Sequence, residues 1–132
     1  MDRDGLQRWL DRYVEAWRTY DPELIGSLFS DDARYHYHPW DDPLVGRAAI
    51  VQSWLEPGGS VSGRDDPRSW HARYAPLAVD GAVAVATGIT TYVPTSRAPG
   101  RVYRNLWVMR FDDDDRCTDF TEWCMQEPDE AA

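Results

Sequence analysis

The chain has 132 residues, 42% of them hydrophobic and 13% aromatic, which fits one domain (residues 1–132) with a real core and excludes a disordered polymer. Its net charge of -9 repels phosphate backbones and anionic lipid surfaces, so neither a nucleic acid nor a membrane is an expected partner.

Leu6, Trp9, Leu10, Tyr13, Val14 and Trp17 recur at three- and four-residue steps and predict an amphipathic first helix. Asp21-Pro22 restarts a helix, with Asp21 as N-cap and Pro22 in the first turn, and Leu24, Ile25, Leu28 and Phe29 as its buried stripe. Ser30-Asp31-Asp32 ends it, and Ala33 to His38 reads as a short strand closed by Pro39. After Gly46 a third helix turns Ile50, Val51, Trp54 and Leu55 inward until Pro57-Gly58-Gly59 stops it. Residues 57–68 form a long polar loop of the kind that makes lids or mouths.

Four strands follow at roughly Ser69–Val79, Ala82–Val93, Arg101–Phe111 and Arg116–Gln126. Asp80-Gly81, Pro94 to Gly100 and Asp112 to Asp115 supply the turns between them. Helices first and strands after predict an α+β fold, with three N-terminal helices packed in the concave face of a curved, mostly antiparallel sheet. There is no internal repeat.

On the strand from Arg101 to Phe111, the uncharged set Tyr103, Asn105, Trp107, Met109 and Phe111 faces the helices, and Arg104, Leu106, Val108 and Arg110 face away. A two- or four-residue hairpin loop then puts Phe111 opposite Arg116, Trp107 opposite Phe120, Asn105 opposite Glu122 and Tyr103 opposite Cys124. Thr118, Phe120, Glu122 and Cys124 are therefore expected inside, and a slip of one residue would reverse this. Leu106, Val108, Trp123 and Met125 are left as an apolar outer patch, which predicts a homodimer through the sheet.

Glu122 beside Asn105 and Tyr13 is the sharpest constellation. A carboxyl desolvated among Trp107, Phe120 and Trp17 has its pKa raised and suits general acid or base work, with Tyr13 and Asn105 as donors. A satisfied structural network is the competing reading. Trp17, Tyr35, Tyr37, Trp40, Trp54 and Trp107 suit a site for a flat or alicyclic molecule, or equally a core filled by rings. In Tyr35-His36-Tyr37-His38 the tyrosines share one strand face and the histidines the other, with His38 near the pocket rim. The His pair lacks further ligands at recognisable spacing, so no metal and no cofactor is expected. Asp112 to Asp115 lacks the spacing of a calcium loop.

The N-terminus, Met1-Asp2-Arg3-Asp4, has no apolar signal-peptide stretch, and no run reaches transmembrane length. Cys117 and Cys124, seven residues apart, fall on opposite faces of a regular strand and read as unpaired thiols. Together these predict a cytoplasmic protein.

Arg12-Tyr13, the run Leu28-Phe29-Ser30-Asp31-Asp32-Ala33, Pro39 and Gly46-Arg47-Ala48-Ala49-Ile50 resemble the nuclear transport factor 2-like superfamily. Val108-Met109-Arg110-Phe111-Asp112 with Arg116 resembles its last hairpin. That superfamily includes SnoaL-like polyketide cyclases, ketosteroid isomerases and scytalone dehydratase. The resemblance implies a cone with a pocket at its open end. Matched to ketosteroid isomerases, Tyr13 stands at the oxyanion-donating Tyr, Tyr37 at the Asp base and Trp107 at the protonated Asp. With two of three groups replaced, the isomerase mechanism is not carried over. The same matching makes Glu122 pocket-facing.

The expectation is a pocket for a small aromatic or alicyclic, carbonyl-bearing molecule, with isomerase, cyclase, dehydratase or hydrolase chemistry. The ligand-binding set is Trp17, Tyr35, Tyr37, His38, Trp40, Trp54, Trp107 and Phe120, and the catalytic set is Glu122, Tyr13 and Asn105. The alternative is a non-catalytic ligand-binding or protein-interaction module on the same fold.

Overall fold

A computed structural model of the chain describes residues 1–56 and 64–129. The Pro57-Gly58-Gly59 stop, and residues 57–63 of the long loop, lie outside the described residues. Helix α1 (Arg3–Thr19) is capped by Asp2, whose carboxylate accepts from the Gly5 N–H at 2.7 Å, and it buries Leu6, Trp9, Leu10, Tyr13 and Ala16. Tyr20, with a left-handed φ of 53°, closes it by donating to the Ala16 carbonyl. Helix α2 (Pro22–Ser27) starts from the Asp21 cap. Helix α3 (Arg47–Leu55) follows Gly46, whose φ of 97° favours glycine.

The strands are β1 (Phe29–His36), β2 (Leu44–Val45), β3 (Trp70–Asp80), β4 (Val83–Tyr92), β5 (Arg101–Phe111) and β6 (Cys117–Gln126). They form one sheet in the order β2-β1-β6-β5-β4-β3, antiparallel except where β1 runs parallel to β6. The helices cover one face, which gives the expected α+β architecture. No helix among the described residues is long and apolar enough to cross a membrane.

Three expectations need correction. Phe29 and Ser30 belong to β1, not to α2. Their apolar spacing mimics a helical stripe, but the chain turns at Leu28, whose carbonyl accepts from Trp9 Nε1 (3.0 Å) and from the Cys117 N–H (2.9 Å). Asp31 and Asp32 do not end an element. They lie in an irregularity of β1 between Phe29 and Arg34, held by Arg47, which donates to the Phe29 carbonyl and pairs with Asp31 at 2.7 Å.

The second correction is the β5–β6 register. Trp107 lies opposite Glu122, Asn105 opposite Cys124, Tyr103 opposite Gln126 and Met109 opposite Phe120. Each of these pairs is displaced by two residues from the hairpin count, and Phe111, opposite Cys117 rather than Arg116, by one. The turn closes with Asp112 against Arg116 and Asp115 at φ 57°, and an extra residue, Thr118, then bulges between the pairs Phe111–Cys117 and Arg110–Asp119. Because the slip is even, Phe120 and Glu122 keep their inward face. Thr118 does not take the expected interior place; Cys117 fills it, fully buried.

The third correction follows from that bulge. Cys117 and Cys124 sit opposite Phe111 and Asn105, both on the inner face, so they do not lie on opposite faces. Roughly 20 Å of strand still separates them, and both are free thiols.

The core is dense with rings. Trp9 meets Phe111 edge-on at 5.2 Å between centroids, and Phe120 stacks on Tyr35 at 4.5 Å. On β4 the inward residues shrink to Ala84, Ala86 and Gly88, opposite Met109, Trp107 and Asn105. A Cβ at Gly88 would overlap the Tyr74 ring. Without it, Tyr74 lies across β4 and stacks on Trp107 at 4.0 Å. Small residues on one strand thus make room for large rings from its neighbours.

Candidate functional site

Beyond that packed end, sheet and helices diverge around a cavity of about 570 Å³. Helix α1 contributes Tyr13 and Trp17, one turn apart on a single face, and α3 contributes Ser53 and Trp54. The sheet contributes Tyr35, Tyr74, Thr90, Tyr92 and the β5 series Arg101, Tyr103, Asn105 and Trp107, with Glu122 and Cys124 from β6.

Glu122 stands against its cross-strand partner Trp107. Its Oε1 accepts from Asn105 Nδ2 at 3.1 Å, while its Oε2 is buried and unpartnered among the described residues. Burial pushes its pKa up to about 7, against opposing pulls from the Trp107 indole and the Asn105 amide. The Trp107 Nε1 likewise has no hydrogen-bond partner among the described residues, so the indole acts on the carboxyl as a nearby dipole rather than by a formed bond.

Asn105 is itself oriented. Thr90 Oγ1 donates to its Oδ1 at 2.9 Å, which uses the only hydroxyl proton of Thr90. Tyr74, 2.7 Å from Thr90 Oγ1, must therefore be the donor there. The relay Tyr74–Thr90–Asn105–Glu122 points the amide N–H at Oε1 and reserves Oε2 for a proton when Glu122 is neutral. Across the cavity the Tyr13 and Tyr35 hydroxyls lie 2.7 Å apart. Burial first, and then each other's proximity or neighbouring phenols and the Glu122 charge, keep both pKa values well above the usual tyrosine range. One of this neutral pair donates to the other and leaves one O–H for a guest.

Of the expected site residues, Glu122, Asn105, Tyr13, Trp17, Tyr35, Tyr37, Trp54 and Trp107 line the cavity. Tyr13 bonds Tyr35 rather than Glu122. Trp17 sits at the rim, stacked on Trp70 at 3.6 Å and donating to Asp65 at 3.1 Å, not beside the carboxyl. Tyr37 bonds Ser53 at 2.9 Å. Three residues of the expected ligand-binding set do not line the cavity. Phe120 is fully buried behind the cavity wall. Trp40, 79% exposed, stacks on His38 beyond the end of β1, and His38 bonds Asp41 at 2.7 Å. β1 ends at His36; Tyr37 still lines the cavity, and Pro39 then prevents a continuing strand, so His38 and Trp40 fall outside it.

Tyr20, Ser53, Asp65, Tyr74, Thr90, Tyr92, Arg101, Tyr103 and Cys124 line the site without having been singled out. For Thr90 and Tyr92 the signal is available in the sequence, since their parity on β4, counted out from Asp80-Gly81, turns them to the face that Asn105 shares. Tyr74 is not readable this way, because an irregularity of β3 between Pro76 and Ala78 inverts the parity before it. Among the described residues, no group of three or more His, Cys, Asp or Glu is placed to hold a metal.

The model of the SnoaL-like domain matches residues 10–120 of the chain. A solved NTF-2 like protein of unknown function from Burkholderia xenovorans LB400 superposes with a TM-score of 0.65 at 15% identity, covering 98% of this chain and 88% of that one. At that identity the likeness is one of fold. No curated protein matches the chain.

Proposed function

The chain belongs to the SnoaL-like domain family, and on that premise we propose that its cavity binds a small aromatic or alicyclic carbonyl compound on which Glu122 moves a proton. The observation that carries this reading is the state of Glu122: one oxygen is fixed by Asn105, the other is free, and burial places the group where it takes and returns protons near neutral pH. In the proposed step Glu122 Oε2 removes a proton from the carbon next to the ligand carbonyl. The hydroxyl left free by the Tyr13–Tyr35 pair donates to the carbonyl oxygen as negative charge develops. Return of the proton to another atom is isomerisation. Loss of a leaving group is dehydration, and attack of the enolate on a second carbonyl is cyclisation.

2-Tetralone, a two-ring ketone with exchangeable α-protons, is a suitable probe. The protein is expected to speed their exchange in D₂O, read by NMR, well above the buffer rate. Saturable binding of the probe with exchange at the buffer rate would leave a binding module without chemistry. The replacement of two family acids by Tyr37 and Trp107, both on the cavity wall, supports that second reading.

The proposed assembly is a homodimer through the outer sheet face, where Trp123 is 49% and Met125 77% exposed beside the half-buried Leu106 and Val108. Sedimentation equilibrium should return twice the chain mass; a monomer at micromolar concentration would refute it. The unpaired thiols support a reducing, cytoplasmic setting, and recovery of the protein from a secreted fraction would contradict that.

A further inference from the structure

Arg101 is the only cation lining the cavity among the described residues, and it has no carboxylate partner within ion-pair distance there. It opens β5 directly opposite Tyr92, the last residue of β4. Its guanidinium lies 4.2 Å above the Tyr92 ring and 5.9 Å from that of Tyr103. Its Nε donates to the Tyr103 hydroxyl at 3.1 Å. Two rings and one hydrogen bond therefore fix the plane of the group, and the bond uses Nε alone. Among the described residues the two terminal nitrogens make no hydrogen bond and remain as a fork, the geometry that grips a carboxylate with two parallel N–H bonds. A flexible surface arginine satisfied by water would need none of this support.

The surroundings set a direction. Arg101 shares its strand face with Asn105, four residues on, so about 13 Å of strand separates the cation from the amide that holds Glu122. Asp65 also lines the cavity, but its carboxylate accepts from Trp17 Nε1 and forms no ion pair with Arg101. The cavity thus carries Glu122 at one end and Arg101 at the other, with the Asp65 carboxylate near Arg101 engaged by Trp17 and aromatic walls between the two ends. An anionic guest is repelled from the Glu122 end and held at the Arg101 end. It enters uncharged end first.

We propose that Arg101 anchors a carboxylate of the ligand, so that the pocket takes ring compounds that are themselves organic acids, acid group at the Arg101 end and uncharged end at Glu122. This rests on the reading of the cavity as a ligand site and narrows the class of ligand. It also gives an acidic protein, with a net charge of -9, a local means of holding an anion.

The test compares naphthalene-2-carboxylate with the neutral naphthalene-2-carboxamide by calorimetry at pH 8, in the wild type and in Arg101→Gln and Arg101→Lys. The wild type is expected to prefer the carboxylate by about tenfold or more, less at high salt. Arg101→Gln should remove the preference while leaving amide affinity within about threefold, since only the ion pair is lost. Arg101→Lys should retain part of it, a charge without the flat fork. Thermal melts confirm that both variants fold. Equal binding of the two probes by the wild type, or a preference that survives Arg101→Gln, overturns the anchor and leaves the ligand-site reading standing. Binding of neither probe overturns both.

Discussion

Glu122→Gln is expected to abolish most proton exchange on 2-tetralone while making the protein more stable at pH 8. The loss follows from the proposed role. Gln still accepts from Asn105 but offers no basic oxygen, and a positioned general base contributes about 10²–10⁴-fold. The gain in stability follows from linkage. The carboxyl has an ordinary pKa of 4.5 and a folded-state value of about 7, so the folded protein holds a proton that the unfolded chain releases between those values. Below pH 4.5 both states are protonated and Glu122 costs nothing. As pH rises from 4.5 to 7 stability is lost progressively, and above 7 the fold carries the full cost of a buried charge, of the order of 3 kcal/mol. Gln removes that burden. The variant should therefore melt several degrees above the wild type at pH 8 and level with it near pH 4.5. Exchange by the wild type should follow ionisation of Glu122 in the folded state, with its midpoint near pH 7, at the upper end of the interval in which its margin of stability falls. A variant that melts with the wild type at every pH would mean that Glu122 is solvated and ordinary.

Phe120→Ala should cost about 3–5 kcal/mol, a large share of the stability of a domain this size. Phe120 is fully buried, stacks on Tyr35 and on Tyr13 at 4.5 and 5.7 Å, and meets Trp107 edge-on at 4.9 Å. It is the ring against which the hydroxyl pair and the indole of the site are held. Its removal opens a cavity behind the wall and frees Tyr13 and Tyr35 to separate. Urea unfolding should show a lower midpoint with little change in slope. Any residual probe binding should weaken as well. A cost below about 1 kcal/mol would contradict the core assignment.

The parts of the molecule set by periodicity were readable from sequence, and the parts set by irregularities were not. The stripe from Leu6 to Tyr13 and the alternation from Tyr103 to Phe111 gave the buried faces of α1 and β5, because solvent exclusion acts on every turn and every second residue. Glu122 was placed inward through a hairpin count that missed both the Asp115 turn geometry and the Thr118 bulge. The two errors add to an even slip, so the face survived while each named pair changed. Phe29 was assigned to a helix because one apolar residue after Leu28 fits a helical stripe as well as a strand start. Trp40 was placed in the pocket by composition alone, although Pro39 already turns the chain away. Arg101 carries no signal in the sequence, because its significance lies in what surrounds it: two rings and a hydroxyl that the hairpin brings together.

The proposed function requires that Glu122 titrate near neutrality inside a cavity that binds a ligand. The direct measurement is ¹³C NMR of the glutamate side-chain carboxyls against pH, with Glu122→Gln identifying the resonance, with and without 2-tetralone. A midpoint near 7 for Glu122, displaced when the ketone is added, is the predicted result. A midpoint near 4.5 that ignores the ketone would remove Glu122 from the site and, with it, the proton-transfer reading.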